Sequence, residues 1–167
     1  MGRLPCRWPA LALAAALACG LAAQAVVLKA GSIAPDFSRP GLNHRTVALA
    51  SYRGRVVLLN FWASWCEPCM TELPAFKAWQ QTYGGRGLQV VGVSMDDQEA
   101  AAAAAARKLG LNFPVVMGGV PLARLYGGIY GVPVTFLIDR QGRIRAIVDG
   151  AANLPKLRRQ VEALLEP

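Results

Sequence analysis

Two predominantly apolar segments, separated by about one helix length of chain, constrain the fold of this sequence more than any other feature. They cover residues 56–61 (VVLLNF) and 88–95 (LQVVGVSM). Apolar runs of this length are typical of strands that are covered on both faces of a sheet. Between them, side chains recur at helical spacing and predict a helix from about Cys66 to Thr82. A strand, a helix and a strand of these lengths predict a βαβ unit with parallel strands and a right-handed crossover.

The segment after this unit predicts a second helix. Asp96 and Glu99 have the spacing of a capping box. Seven consecutive alanines follow at residues 100–106, and alanine is the best helix former. Gly110 is expected to end the helix as a C-cap.

The remaining elements complete an α/β domain with a mixed central sheet flanked by helices. They are predicted as a β-hairpin at Val47 and Leu49, a strand at 113–116, a short helix at 122–126, antiparallel strands at 134–139 and 143–148, and a last helix with Leu157, Val161, Leu164 and Leu165 on its buried side. Asn153 is expected to cap this last helix. We find no internal repeat and no linker long enough for a second folded domain.

The first 25 residues have the composition of a targeting segment. Two arginines precede a long uncharged apolar run, and residues 23–25 (AQA) supply small side chains where a signal peptidase reads them. An uncleaved membrane anchor is an alternative because the apolar run is nearly long enough to span a bilayer. Lipidation at Cys19 is another. We therefore divide the chain into a signal peptide or N-terminal membrane anchor at 1–25 and a domain at 26–167, located outside the cytoplasm in each case.

Charge and cysteine content exclude several classes of protein. The net charge is +8, but the basic residues are scattered, with no dense run beyond Arg158 and Arg159. This distribution predicts a solvated basic surface and no nucleic-acid partner. Histidine occurs once, at His44, and the body of the chain contains only Cys66 and Cys69. A zinc site with four Cys and His ligands is therefore excluded, and we expect no metal or cofactor.

Cys66 and Cys69 form a Cys-x-x-Cys pair where a predicted strand gives way to a predicted helix. Free backbone amides and the dipole at a helix N-terminus favour an anion, so the pKa of the Cys66 thiol is expected to lie below that of a free cysteine. Pro68 suits the first turn because it needs no amide hydrogen there. Cys69 lies one turn further and is expected to be less exposed. We predict that Cys66 attacks a substrate disulfide and that Cys69 resolves the mixed disulfide.

Two simpler interpretations of the pair remain as alternatives. A structural disulfide across two intervening residues would restrict the unfolded chain very little. Half of a metal site would need further soft ligands from a second chain. Redox catalysis is the interpretation that agrees with the Cys-x-x-Cys spacing, with the position of the pair at the start of a helix and with a location outside the cytoplasm.

Several motifs together are similar to one family. Segment 61–69 (FWASWCEPC) resembles the active-site segment of the thioredoxin superfamily, and more closely that of extracytoplasmic TlpA/ResA-like and CcmG/DsbE-like thiol-disulfide oxidoreductases. The same branch is matched in order at residues 34–37 (APDF), 52–60 (YRGRVVLLN), 92–94 (GVS) and 131–139 (GVPVTFLID). The resemblance extends from about Gly31 to the C-terminus. It implies a thioredoxin fold with an added N-terminal β-hairpin.

The resemblance also implies roles for residues outside the cysteine pair. Pro133, after Val132, matches the family's cis-proline, which faces the cysteines and leaves neighbouring backbone free to pair with a substrate. Trp65 is expected to shield the sulfurs and to form the substrate surface with these two residues. Glu72 matches an acidic residue that shares a helix face with Cys69 and could take its proton; a solvated surface glutamate is the alternative. Asn60 occupies the place of a buried Asp in cytoplasmic thioredoxins.

The resemblance further implies a reductase and its partners. Its substrates would be oxidised proteins, with apocytochrome c as one possibility, and a membrane thiol donor of the DsbD/CcdA type would keep the pair reduced in a periplasmic location. We expect a monomer.

Two other activities on the same fold are alternatives. A peroxiredoxin-like peroxidase normally has Thr three residues before its reactive cysteine, where this chain has Ala63. A Sco-like copper chaperone uses Cys-x-x-x-Cys and a distant His, whereas His44 precedes the first central strand here.

Overall fold

The central element of the computed structural model is β3 (Val56–Trp62), a strand in which every residue is buried. The structure describes residues 27–166, so the predicted signal peptide or anchor at 1–25 lies outside the described residues. Within 27–166, five strands form the main sheet in the order β5-β4-β3-β6-β7. The other four strands are β4 (Leu88–Ser94), β5 (Val115–Met117), β6 (Val134–Ile138) and β7 (Ile144–Asp149).

The sheet is mixed, as predicted. β3 pairs in parallel with β4, and β4 pairs in parallel with β5. β3 pairs antiparallel with β6, which forms an antiparallel hairpin with β7. In the parallel pair, Trp62 at the end of β3 lies opposite Ser94 at the end of β4. The segments that follow these two residues therefore lie next to each other at the carboxyl ends of β3 and β4. The cysteine pair lies in the segment that follows β3.

The helices connect the strands and cover the sheet. In the described residues they are α1 (Glu67–Tyr83), α2 (Glu99–Leu109), α3 (Gly119–Leu125) and α4 (Leu154–Leu165). Pro74 lies inside α1, which nevertheless continues to Tyr83. None of the helices within residues 27–166 combines the length and the apolar character needed to cross a membrane.

Alternation along β3 divides the core between the two faces of the sheet. Leu58 and Trp62 belong to a cluster that includes side chains of α1 and α4. Leu59 and Phe61 belong to a second cluster, which includes Leu122 of α3 and the segment before the sheet. Both faces are therefore buried, which explains why the apolar runs in the sequence are continuous rather than alternating.

An N-terminal hairpin precedes the sheet, as the resemblance implies. Strand β1 (Ser38–Pro40) pairs antiparallel with β2 (Thr46–Ala48). Val47 lies in β2, but Leu49 does not extend the strand, because it begins a 3₁₀ turn in which its side chain is buried. The expectation for Leu49 was therefore wrong: its apolar side chain reaches the core from a turn.

The predicted capping box of α2 is also wrong. The N-cap residue is Gln98, which makes no side-chain capping bond. The Asp96 carboxylate instead accepts hydrogen bonds from Ser64 and Ser94, so it is not available to the helix. At the other end the prediction is confirmed, since Gly110 ends α2 with φ of 58°, a conformation that glycine adopts readily.

The last helix follows the prediction closely. Asn153 caps α4 by accepting a hydrogen bond from the Lys156 N–H at 3.0 Å. Leu157, Val161 and Leu165 are buried, whereas Leu164 is half-buried. Helix α4 thus packs its apolar side on the face of the sheet that also carries α1.

Candidate active site

The loop between β3 and α1 places Cys66 at the N-terminus of a helix, as the sequence predicts. Cys66 is the N-cap residue of α1, with extended backbone angles, and its Sγ accepts a hydrogen bond from the Cys69 N–H at 3.2 Å. Pro68 lies in the first turn, where its missing N–H costs no hydrogen bond. A backbone donor aimed at the sulfur and the helix dipole both favour negative charge at this atom when the pair is reduced.

The two cysteines are joined as a disulfide in this structure. Their Cα atoms are 5.3 Å apart. Cys66 is 4% exposed and Cys69 is 1% exposed, so the predicted difference in exposure has the expected sign but is small. Attack from solution on this pair is therefore limited by access in the disulfide form.

The turn before Cys66 is held by a buried carboxylate at the end of β4. Asp96 is 7% exposed. Its carboxylate accepts from the Ser64 N–H at 3.1 Å, from the Ser64 hydroxyl at 2.6 Å and from the Ser94 hydroxyl at 2.8 Å. Nearby, the Met95 N–H donates to the Trp62 carbonyl at 2.7 Å. The segment from Trp62 to Ser64 is thus attached to the neighbouring segment at several points.

The Val132–Pro133 peptide bond is cis, the form that the resemblance implies. Pro133 is buried and Val132 is half-buried. Val132 lines a cleft of about 200 Å³ with Trp65, Met95 and residues 129–131. This arrangement brings two of the predicted substrate-binding residues, Trp65 and Val132, to one cleft.

Two aromatic side chains are exposed beside this cleft. Trp65 is 70% exposed and Tyr130 is fully exposed. Trp65 is thus open to solvent, while the sulfur-bearing residues next to it are buried. Large exposed aromatic rings at a cleft are typical of surfaces that a partner covers.

Glu72 is buried in α1 and is not the solvated surface residue that was the alternative. Its Oε1 accepts a hydrogen bond from the Ala152 N–H, in the segment between β7 and α4. Its Oε2 is buried and has no hydrogen-bond partner among the described residues. Burial raises the pKa of the Glu72 carboxyl above its ordinary value, and the bond from Ala152 only partly offsets this. A carboxylate with a raised pKa is a better proton acceptor near neutral pH.

Asn60 lies in β3 and is also buried. Its Nδ2 donates to the Thr135 hydroxyl of β6 at 3.0 Å. Because an amide carries no titratable proton, the side chain at this position cannot accept one during catalysis. Among residues 27–166, no group of three or more His, Cys, Asp or Glu side chains is placed to hold a metal ion.

Comparison with known proteins identifies the family. The sequence model of the AhpC/TSA family matches residues 30–147. The chain belongs to this family. Within it, the thiol-disulfide oxidoreductase ResA of Geobacillus thermodenitrificans (strain NG80-2) is 32% identical over 134 residues, which cover 80% of this chain and 77% of the relative. ResA of Bacillus subtilis (strain 168) is 32% identical over 120 residues, covering 72% and 67% respectively.

A solved structure agrees with this assignment. A Chlorobium tepidum protein assigned as thiol:disulfide interchange protein DsbE superposes with a TM-score of 0.77 at 36% identity. The superposition covers 84% of this chain and all of that one. The fold of this family member is therefore thioredoxin-like, and both kinds of comparison lead to thiol-disulfide oxidoreductases.

Two features of the site were missed by sequence reasoning. One is the bond between Ser64 and Asp96, and the other is the exposed Tyr130 beside the cleft. The first had a usable signal, because Ser64 and Asp96 each lie within three residues of the end of a predicted parallel strand, and the ends of such strands meet at the same edge of a sheet. Tyr130 had no comparable signal, since a tyrosine in a glycine-rich loop is compatible with many roles.

Proposed function

We propose that this protein is a thiol-disulfide oxidoreductase that reduces disulfides in extracytoplasmic proteins through Cys66 and Cys69. The observation that carries the proposal is the position of Cys66, which caps α1 and accepts a backbone hydrogen bond on its sulfur. The same geometry stabilises a thiolate when the pair is reduced. The exposed rings of Trp65 and Tyr130 at the adjoining cleft support a protein substrate, because large exposed aromatic side chains are typical of surfaces that a partner covers.

The reaction begins with the reduced pair. The Cys66 thiolate attacks one sulfur of a substrate disulfide, forming a mixed disulfide and releasing the other substrate sulfur as a thiolate, which takes up a proton. Cys69 then attacks the Cys66 sulfur. The Cys66–Cys69 disulfide forms, the substrate leaves as a dithiol, and two electrons have passed to it.

Glu72 is proposed to act in the second step. Cys69 must lose its proton before it can attack, and Glu72 lies three residues further along the same helix face. Its raised pKa suits it to accept that proton, as does its Oε2 atom, which has no hydrogen-bond partner within residues 27–166. Asn60 offers no alternative acceptor in this protein.

Substrate binding is assigned to Trp65, Val132 and Pro133. The first two line the cleft, and Pro133 follows directly. Oxidised proteins, with apocytochrome c as a candidate, would place an extended segment there. We further propose that a membrane thiol donor of the DsbD/CcdA type re-reduces the disulfide, that the domain acts as a monomer on the periplasmic side, and that residues 1–25 direct or anchor it there.

The two alternative activities have less support. Ala63, which replaces the threonine expected in a peroxiredoxin, is buried and carries no hydroxyl. His44 is exposed in the turn between β1 and β2, on a segment remote in sequence from the cysteines. Neither residue supplies the group that the alternative chemistry requires.

Two cysteine variants test the proposed order of attack. We expect Cys66→Ser to abolish the reduction of insulin disulfides and Cys69→Ser to accumulate a mixed disulfide with the substrate, because only Cys66 attacks it. Non-reducing electrophoresis and mass spectrometry distinguish these products. The reverse pattern would overturn the assignment. Trapping with Cys69→Ser in the native host would then identify the physiological partner.

A further inference from the structure

We propose that Asp96 is a positioning residue for Cys66, an inference that rests on the proposed function. Its carboxylate attaches the turn that carries the attacking cysteine to the end of β4. Of the three donor groups that it binds, two belong to Ser64, two residues before Cys66. The third, the Ser94 hydroxyl, belongs to the strand itself.

The segment that contains Asp96 explains its burial only in part, since one of the three donor groups, the Ser94 hydroxyl, lies there. Burying a carboxylate is unfavourable unless its oxygens receive hydrogen bonds. The side chain does not cap α2, whose N-cap is Gln98. The carboxylate instead accepts hydrogen bonds from the backbone N–H and the hydroxyl of Ser64, which lies 32 residues earlier in the chain.

Backbone hydrogen bonds continue from the turn that Asp96 binds to the residue that carries the reactive sulfur. Trp62 is bound through its carbonyl by Met95, Ser64 is bound by Asp96, and the Cys66 N–H donates to the Ala63 carbonyl at 3.1 Å. Cys66 therefore enters α1 from a turn that is constrained at alternate residues. Without the carboxylate, the Ser64 N–H and hydroxyl lose their acceptor, and the turn gains freedom next to the sulfur.

The carboxylate also places a negative charge near the Cys66 thiolate. The carboxylate is hydrogen-bonded to Ser64, whose Cα lies at most about 7 Å from that of Cys66, and a negative charge in this region opposes thiolate formation. Other acidic side chains in the region are Glu67 and Glu72 on α1 and Asp97 beside Asp96. These three side chains are the same in an Asp96 variant, so a difference in the pH dependence of Cys66 between variant and parent reports the effect of the Asp96 charge alone. A less favoured thiolate suits a pair that acts as a reductant, because it favours the disulfide product.

The test compares Asp96→Asn, Asp96→Ala and Ser94→Ala in the full chain. Alkylation of Cys66 is followed against pH by peptide mass spectrometry in a Cys69→Ser background, which reads Cys66 separately from Cys6 and Cys19. We expect Asp96→Asn to move this pH profile about half a pH unit lower. Asp96→Ala should also slow attack on a peptide disulfide roughly tenfold at equal thiolate content, because the sulfur is less well placed.

Ser94→Ala is the matched control, since it removes two hydrogen bonds of Asp96, one to its carboxylate and one from its backbone N–H, without touching the turn. We expect its profile and attack rate to equal those of the parent. If both Asp96 variants also match the parent, the inference is wrong, and Asp96 has only a structural role. If Asp96→Ala does not fold, Asp96→Asn still tests the inference, because it keeps the size of the side chain and one acceptor oxygen. The pH profile of Cys66 alkylation in that variant then supports or refutes the inference. A parent that fails to reduce any disulfide would refute the proposed function instead.

Discussion

Replacement of Glu72 by Gln tests the proton-transfer role with little structural change. The amide oxygen of Gln can keep the hydrogen bond from the Ala152 N–H. The substitution therefore alters mainly Oε2, which is buried without a partner among the described residues. General-base catalysis by a side chain contributes roughly 10²- to 10⁴-fold. Because one oxygen of Glu72 accepts a hydrogen bond and only the other lacks a partner in the described part of the chain, we expect the lower end, a slowing of the resolving step by about 10²-fold.

The assay separates the two chemical steps. A peptide disulfide with two different chromophoric thiols releases the first thiol when Cys66 attacks and the second when Cys69 resolves the mixed disulfide. Stopped-flow measurement on reduced Glu72→Gln should show an unchanged first release and a delayed second release. Glu99→Gln removes an equal charge from the exposed start of α2 and is the control. Release of the second thiol within twofold of the parent rate between pH 6 and 8 would refute the role of Glu72.

Three further predictions concern stability. Because the pKa of Glu72 is raised, the folded state binds more protons than the unfolded state, and this contribution to stability is present at acid pH and lost as pH rises. The melting temperature of Glu72→Gln should therefore rise relative to that of the parent as pH increases. A difference in melting temperature that stays constant with pH would contradict this. Asn153→Ala removes the α4 cap and should cost about 1 kcal/mol in urea unfolding; no loss would show that the cap contributes nothing. Gly92→Ala brings a Cβ to 2.9 Å from Trp62 Nε1 and should cost about 1–3 kcal/mol of unfolding free energy. Gly85→Ala, where no atom of residues 27–166 outside its chain neighbours lies within 4 Å of the added Cβ, should be neutral. Equal effects of the two substitutions would refute the packing argument.

The central βαβ unit could be predicted because its signals are local and strong. The apolar runs of β3 and β4 and the helical spacing of α1 each specify one kind of element. The observed boundaries differ from the predicted ones by one residue. The cysteine pair was placed correctly for the same reason, since it lies between two well-defined elements.

Contacts between distant segments could not be predicted in the same way. Asp96 was assigned to a helix cap from a spacing of three residues, whereas its partner Ser64 is 32 residues away. The hydrogen bond between Glu72 and Ala152 spans 80 residues. The sequence pattern indicated that Glu72 could contact Cys69, but its burial depends on how the β7–α4 segment packs over α1.

The nearly complete enclosure of both cysteines determines which thiols can exchange with the disulfide. Thiol exchange requires a collinear approach to sulfur, and its rate falls when access is blocked. Small monothiols have no binding surface with which to open the site. A docking protein has one in the exposed rings of Trp65 and Tyr130, which line the adjoining cleft. We therefore expect exchange with low-molecular-weight thiols to be slower than exchange with a docking protein, independently of how their redox potentials compare.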